Sequence, residues 1–260
     1  NLLLILMCFV CGLVCAHDGL NFRNLDVKSG ISDNYVQSVI RDRYGFMWFA
    51  TLNGLNRYDG YQFKKYTTTQ LGAYNNDIES IAEDAAGNIW IKGPVSYYIY
   101  NREQDKLENK IQPVLNKYGI TGEVSYLTVD KDYNLWCTVM DTLFHYDFAK
   151  SKLHTFQLPG KEKMQQVVCR RSCAYLLFSN GEIARIDSNF QHIRPETRRT
   201  ISSGLQYNLY IDTVDRLWFY ASHASGLQCY DTNQKQWIDY VGRQEVTDAL
   251  ITAVMDDGDG

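Results

Sequence analysis

The sequence predicts an all-β fold, and three observations support this. Aromatic residues make up 13% of the 260 residues, with 19 Tyr and 5 Trp, and both residue types favour strands. Short runs of alternating apolar and polar residues are separated by Gly, Asn and Asp, which is typical of strands and turns. The pattern returns about every 42 residues, the size of one four-stranded blade. We therefore predict a β-propeller of four-stranded antiparallel blades.

Four tryptophans mark the repeat: Trp48, Trp90, Trp136 and Trp218. Their spacings are 42, 46 and 82 residues, and the last spacing is two periods. An aspartate lies six residues before each of them, as Asp42, Asp84, Asp130 and Asp212. A glycine follows two of these aspartates after three residues, as Gly45 and Gly87. Because Asp accepts backbone N–H groups in a type I turn and Gly tolerates positive φ, we predict a hairpin turn that begins at each of these aspartates.

Two further copies of the repeat are incomplete. Tyr175 lies between Trp136 and Trp218 where a tryptophan is expected, so we interpret it as the core residue of a degenerate copy. Asp257 and Gly260 match Asp42 and Gly45 and begin a sixth copy. A calcium loop at Asp257 is the alternative, but it would need a Glu at its twelfth position.

The copies start near residues 32, 76, 122, 164, 205 and 248. In the first copy we predict strands at residues 34–41, 46–51, 55–58 and 61–66. Residues 17–260 would then form an incomplete N-terminal propeller of about five and a half blades, out of seven when complete. Residues 20–28 resemble a fourth strand, and we predict that they form the outer strand closing the last blade. The alternative is a disordered leader.

Residues 1–16 carry no charge and are predicted to be a secretory signal peptide without its basic n-region, cleaved before His17. A membrane anchor and a lipoprotein signal that uses Cys15 are the alternatives. A signal peptide would place the chain in the periplasm, an oxidising compartment.

The cysteines outside the signal are Cys137, Cys169, Cys173 and Cys229. Cys169 and Cys173 flank the first hairpin turn of the degenerate copy, so we predict a disulfide between them. Cys137 falls in an apolar position and is predicted to be a buried thiol. The spacing of these four cysteines argues against a zinc site.

Charge and motifs exclude several functions. Lys and Arg number 26 against 30 Asp and Glu, a net charge of −4, which argues against nucleic-acid binding. The chain has no H-E-x-x-H, no G-x-S-x-G and no phosphate-binding loop. We therefore predict no catalytic residue, no metal and no cofactor, and we expect this chain not to be an enzyme.

Two motifs have both a structural and a ligand-binding interpretation. The repeated tryptophans could stack on sugars, but their recurrence at one strand position favours packing between blades. Arg57 and Asp59 could bind a ligand, but their place in the strand favours a strand-end turn.

Residues 31–60, from Ile31-Ser32-Asp33-Asn34 through Asp42 and Trp48 to Gly54-Leu55-Asn56-Arg57-Tyr58-Asp59-Gly60, resemble the two-component regulator propeller repeat. Ala50 stands where that repeat usually has Gly. The resemblance implies the periplasmic sensor region of a hybrid histidine kinase, with an oligosaccharide as ligand and a second sensor chain as partner. It also implies a membrane anchor and kinase domains beyond this region. A secreted propeller lyase or glycoside hydrolase and a protein-interaction propeller are the alternative functions.

Overall fold

The computed structural model describes residues 23–160, 162–170, 173–199, 201, 205–221, 224–238, 250–251 and 254. Within these residues the strands form five four-stranded antiparallel sheets and one two-stranded sheet. The predicted all-β fold of four-stranded blades is confirmed. The predicted signal peptide at residues 1–16 and the turn residues Asp257 and Gly260 lie outside the described part of the chain.

Each four-stranded sheet is one blade. Blade 1 holds β1 (Val36–Arg41), β2 (Met47–Thr51), β3 (Gly54–Tyr58) and β4 (Phe63–Tyr66). Blade 2 holds β5 (Ser80–Glu83), β6 (Ile89–Lys92), β7 (Tyr97–Asn101) and β8 (Lys106–Glu108). Blade 3 holds β9 (Val124–Val129), β10 (Leu135–Val139), β11 (Thr142–Asp147) and β12 (Lys152–Gln157). Blade 4 holds β13 (Met164–Arg170), β14 (Cys173–Phe178), β15 (Glu182–Ile186) and β16 (Ile193–Arg198).

Blade 5 is interrupted by a short extra strand. It holds β17 (Tyr207–Ile211), β18 (Arg216–Ala221), β20 (Leu227–Asp231) and β21 (Gln236–Ile238). Between β18 and β20, β19 (Ala224–Ser225) pairs with β22 (Leu250–Ile251). The start of the predicted sixth copy therefore contacts the fifth blade.

Strand order within every blade follows chain order, so each blade is a meander of hairpins. The first strands of successive blades contact one another, from β1 through β5, β9 and β13 to β17. This places the first strands at the inside and the fourth strands at the outside. The turns between strands 1 and 2 and between strands 3 and 4 share one side of the propeller, here named the turn side. The remaining turns and the connections between blades share the other, here named the connection side.

Side chains of one blade accept backbone N–H groups from the inner strand of the next blade. The backbone N–H of Leu127 donates to the Tyr97 hydroxyl at 2.9 Å, and that of Val167 donates to the Tyr126 hydroxyl at 3.0 Å. At the next blade boundary, the Gln166 side chain accepts from the Leu209 N–H at 2.6 Å. These bonds satisfy backbone donors at the exposed edge of each inner strand, which β-proteins must otherwise protect.

Helical structure is short and lies between strands. Residues Val27–Ser29 and Thr69–Leu71 form 3-10 turns, and Gln112–Asn116 form the α-helix α1 in the connection from blade 2 to blade 3. Pro at the start of α1 suits its first turn, and Leu115 is completely buried.

The predicted closing strand at residues 20–28 is described only from Arg23 onward. Residues 23–26 belong to no strand in the described chain, and the 3-10 turn begins at Val27. Residues 20–22 of the predicted strand lie outside the described part of the chain. Its pairing with a last blade stays a prediction.

Candidate functional site

The repeated Asp binds the repeated Trp in the same blade. The indole Nε1–H of Trp48 donates to Asp42 Oδ2 at 2.9 Å. The same bond measures 2.8 Å in the other three complete copies, from Trp90 to Asp84, from Trp136 to Asp130 and from Trp218 to Asp212. The second oxygen of Asp42 accepts the backbone N–H groups of Tyr44 and Phe46, each at 3.0 Å. The aspartate therefore joins the hairpin turn to the tryptophan. The sequence predicts the turn but not the hydrogen bond to the indole.

The charge of these aspartates is stabilised unequally. Burial raises the pKa of Asp42, but hydrogen bonds from Trp48 and Arg102 outweigh it and hold the pKa below its usual value. Arg102 lies 3.1 Å from the Asp42 carboxylate. At Asp130 burial prevails and raises the pKa, because the opposing causes are hydrogen bonds from Trp136 and the turn without an arginine.

The tryptophans pack across blade boundaries. Trp48 and Trp136 are completely buried, Trp90 is 2% exposed, and Trp218 is partly buried. Trp48 lies in one cluster with Ile81 and Tyr100 of blade 2. Trp90 packs in the same way against blade 3, and Trp136 against blade 4. The geometry matches packing between blades, and the buried indole faces are not available to a sugar.

In the degenerate copy both partners of the Asp–Trp bond are replaced. Tyr175, 3% exposed, packs against Leu209 and Leu217 of blade 5, as the tryptophans pack against their next blades. Cys169 stands where Asp would accept the indole N–H. Arg170 pairs with Cys173, which leaves two residues between β13 and β14, whereas the other blades have four or five there. A hairpin this short has no room for the Asp turn.

The predicted disulfide between Cys169 and Cys173 is not formed, and both cysteines are free thiols. Cys169 pairs with Ala174, while Cys173 pairs with Arg170. Adjacent residues of a strand point to opposite faces, so the two thiols lie on opposite sides of the sheet. Cys169 packs towards blade 3 and Cys173 towards blade 5. The prediction was wrong by one residue of register. Cys137 is completely buried, and burial raises the pKa of its thiol to about 12.

The position that faces Trp48 in the next strand holds Arg57, which is engaged between blades 1 and 2. Its guanidinium donates to the Tyr100 hydroxyl at 2.7 Å and to Asp105 at 3.1 Å. Asp105 also accepts from Lys64 and from the hydroxyls of Tyr66 and Tyr100. Burial raises the pKa of Asp105, but these donors outweigh it and hold the pKa well below its usual value.

Asp59, the other residue of the predicted pair, accepts the backbone N–H groups of Tyr61 and Gln62 at 2.8 Å. It therefore stabilises the turn between β3 and β4. Neither Arg57 nor Asp59 is held ready for a ligand.

The equivalent position in blade 3 holds His145, which faces Trp136. Its ring stacks on Trp136 with centroids 4.0 Å apart and on Phe190 of blade 4 at 4.8 Å. His145 is 2% exposed, and neither ring nitrogen has a hydrogen-bond partner. Burial, assisted by the neighbouring His154, lowers the pKa of His145 to about 4. His145 is therefore a neutral packing residue at neutral pH.

A cavity of about 240 Å³ opens between blades 3 and 4 on the connection side. It is lined by residues of β9, β10, the turn after β10 and the start of β13, and by Leu158, Gly160, Glu162 and Lys163 of the connection between blades 3 and 4. No sequence pattern pointed to this place, because its residues come from three separate segments of the chain. It is the candidate binding site of the described chain.

Within the described residues, no three His, Cys, Asp or Glu side chains are grouped as a metal would require. The same residues contain no helix long and apolar enough to cross a membrane.

The model of the two-component regulator propeller family matches residues 30–53 of the chain. This segment carries a two-component regulator propeller repeat. The resemblance seen in the sequence is thereby confirmed at the repeat where it was closest. No curated protein matches the chain.

Solved structures share the fold. The extracellular domain assigned to a hybrid two-component system of B. thetaiotaomicron matches with 22% identity and a TM-score of 0.57, over 83% of this chain and 31% of that chain. A second such domain from B. thetaiotaomicron matches with 19% identity and a TM-score of 0.59, over 91% of this chain and 33% of that chain. The chain thus spans about a third of the length of these extracellular domains.

An enzyme shares the fold as well. Virginiamycin B lyase from Staphylococcus aureus matches with 16% identity and a TM-score of 0.53, over 78% of this chain and 68% of that chain. At these identities the likeness establishes the propeller architecture and no activity.

Proposed function

We propose that the chain is the ligand-sensing propeller of a hybrid two-component sensor histidine kinase. The observation that supports this most directly is the match of residues 30–53 to the two-component regulator propeller family. The propeller fold shared with extracellular domains of hybrid two-component systems supports the same function. The proposed location is the periplasm, after export by the signal peptide at residues 1–16.

The proposed ligand is an oligosaccharide, and the proposed output is control of polysaccharide-utilisation genes. Two sensor chains would associate, and ligand binding would change the equilibrium between two arrangements of the pair. A kinase across the inner membrane would respond to that change. The propeller itself contributes binding and packing, while phosphoryl transfer belongs to other domains.

A thermal-shift screen of the complete extracellular region against a library of plant and host oligosaccharides tests the proposal. We expect one glycan class to raise the melting temperature in a concentration-dependent way, because a ligand that binds only the folded state stabilises it. The proposal would be contradicted if no glycan raised the melting temperature and if sedimentation of the same region showed a monomer at all protein concentrations.

A secreted lyase is the second candidate, because virginiamycin B lyase shares the fold; a polysaccharide as its substrate is a proposal from the sequence alone. Its chemistry would need an acid or base that reaches a bound substrate. The repeat aspartates instead accept indole and backbone N–H groups, and His145 is enclosed between two rings. Mass spectrometry of glycans incubated with the protein separates the two functions, because a sensor returns them intact and a lyase yields unsaturated products.

A further inference from the structure

The cavity between blades 3 and 4 is open because the chain crosses this boundary by a short route. The connection between β12 and β13 is residues 158–163, whereas the first two blades are followed by the longer connections 67–79 and 109–123. A short connection covers less of the blade ends. The space of about 240 Å³ is therefore reached from the connection side.

Two hydroxyl groups supply polar atoms inside the cavity. The hydroxyl oxygen atoms of Ser125 on β9 and Thr138 on β10 are 2.7 Å apart, beside a bulge in the pairing of these strands. Thr138 is 3% exposed. Each hydroxyl can donate one hydrogen bond and accept two, so the pair retains acceptor sites after bonding to each other. A ligand that brings its own hydroxyl donors can use these sites.

The walls are apolar and the mouth is charged. Leu158 and Met164 are buried lining residues, and Met140 is 87% exposed beside them. The charged residues that line the cavity are Asp141, Glu162 and Lys163, all exposed. Carboxylates accept hydrogen bonds and the ammonium donates them, so the mouth offers both functions within one small volume.

We propose that this cavity binds one neutral sugar ring at the end of an oligosaccharide chain. A polyol both donates and accepts, so it matches Asp141 and Lys163 together, whereas an ion would meet a like charge at one of them. The C–H surface of a sugar ring suits Leu158 and Met164. The volume is below the 300–1,000 Å³ that is common for drug-sized ligands, which limits the occupant to about one ring. The choice of a saccharide rests on the proposed function, while the place of the site rests on the geometry.

Titration of the chain with glucose, galactose, mannose and arabinose, followed by saturation-transfer NMR, tests the site. We expect at least one of them to bind with a Kd of about 1 mM, a normal affinity for so small a ligand. Asp141→Asn and Lys163→Met should each weaken that binding at least fivefold. Both residues are exposed, so both variants should fold. Glu103→Gln, an exposed change on the turn side of blade 2, is the control and should bind as the wild type does.

The outcomes separate the site from the proposed function. Binding that Asp141→Asn and Lys163→Met leave unchanged would overturn the site, even if a library glycan stabilises the extracellular region. Absence of binding by all four sugars, together with a library glycan whose affinity neither variant alters, would overturn it as well. A sugar that binds here while no library glycan shifts the extracellular region would support the site and contradict oligosaccharide sensing.

Discussion

The Asp–Trp pair is the smallest unit on which each complete blade depends. One carboxylate accepts the indole N–H and two backbone N–H groups, and it sits at the end of a tryptophan that the next blade covers. Asp130, for example, accepts from Trp136 at 2.8 Å and from the N–H groups of Asp132 and Asn134 at 2.9 Å. Loss of the carboxylate leaves a buried indole donor without a partner, which costs about 1–3 kcal/mol.

We therefore predict that Asp130→Ala lowers the free energy of unfolding by about 2 kcal/mol. Asp132→Ala changes an exposed residue in the same turn and should alter it by less than about 0.5 kcal/mol. Urea denaturation of both variants provides the comparison. Equal stability of the two would show that the indole bond contributes nothing.

His145 makes stability depend on pH. Its pKa is about 4 in the folded chain and 6.5 in the unfolded one, so the unfolded state binds more protons between these values. Stability from the neutral ring is present above pH 6.5 and is lost as the pH falls towards 4, by roughly 3 kcal/mol at most. Asp130, with its raised pKa, acts in the opposite direction.

Replacement of His145 by Phe should preserve the ring stack and reduce the loss of stability at low pH. We expect the urea midpoint of the variant to fall less than that of the wild type between pH 6.5 and 4.5. Parallel curves for wild type and His145→Phe would contradict the assigned role.

At the scale of the elements, equivalent positions at the blade boundaries hold residues of different chemistry. At three described boundaries, the residue facing the Trp or Tyr and a left-handed residue in the last turn of the next blade take part in one contact. Between blades 1 and 2 these are Arg57 and Asp105, with Asp105 at φ 47°. Between blades 4 and 5, Arg185 and Lys235 approach Glu196 instead. The boundary between blades 3 and 4 has aromatic stacking of His145 on Phe190.

The charged boundary between blades 1 and 2 should depend on Asp105. Asp105→Asn keeps a residue that tolerates positive φ but removes the negative charge from beside Arg57 and Lys64. We expect a loss of about 2 kcal/mol, because hydrogen bonds to charged groups contribute about 1.5–3 kcal/mol each. Thermal unfolding measures it, with Glu103→Gln in the same turn as the neutral control. A melting temperature equal to that of the control would contradict the account.

In blade 4 we predict that restoring the repeat tryptophan destabilises the blade. Tyr175→Trp adds volume at a position with no Asp acceptor and a shortened hairpin, so we expect a loss of about 1–3 kcal/mol from overpacking. Tyr175→Phe preserves the ring size and should cost less. Urea denaturation distinguishes the two, and a Trp variant more stable than wild type would show that the site has room for the indole.

The sequence predicts the elements well where the repeat is strong. The predicted strand at residues 34–41 is observed at Val36–Arg41, and the one at 46–51 is observed at Met47–Thr51. The error falls in the degenerate copy, where alignment to Asp and Trp placed Cys169 opposite Cys173. Hairpin length sets register, and a pattern borrowed from longer hairpins shifts it by one residue.

The cavity, by contrast, could not be predicted. Ser125, Thr138, Asp141 and Lys163 carry no motif, and only the folding of three segments brings them together. The Asp–Trp bond left one signal in the sequence, the spacing of six residues that the pair keeps in all four complete copies. That spacing did not predict the bond, because a turn aspartate and a separate core tryptophan would keep it as well.

At the scale of the whole molecule, the described blades form one succession in which each blade buries the tryptophan or tyrosine of the one before. A change at one boundary is therefore transmitted only through packed neighbours. The cavity lies on the connection side of the boundary between blades 3 and 4, and blade 4 is the degenerate copy. A ligand there would contact two blades at once, which suits a domain whose proposed role is to report occupancy to a partner chain.

The most direct test of the sensor function is autophosphorylation of the full-length protein in membrane vesicles, with and without the glycan that stabilises its extracellular region. We predict that the glycan changes the rate of phosphate incorporation, and that Asp141→Asn and Lys163→Met shift the response to higher glycan concentration. An unchanged rate at saturating glycan, in vesicles whose kinase is active, would contradict the assignment of this propeller as a sensor.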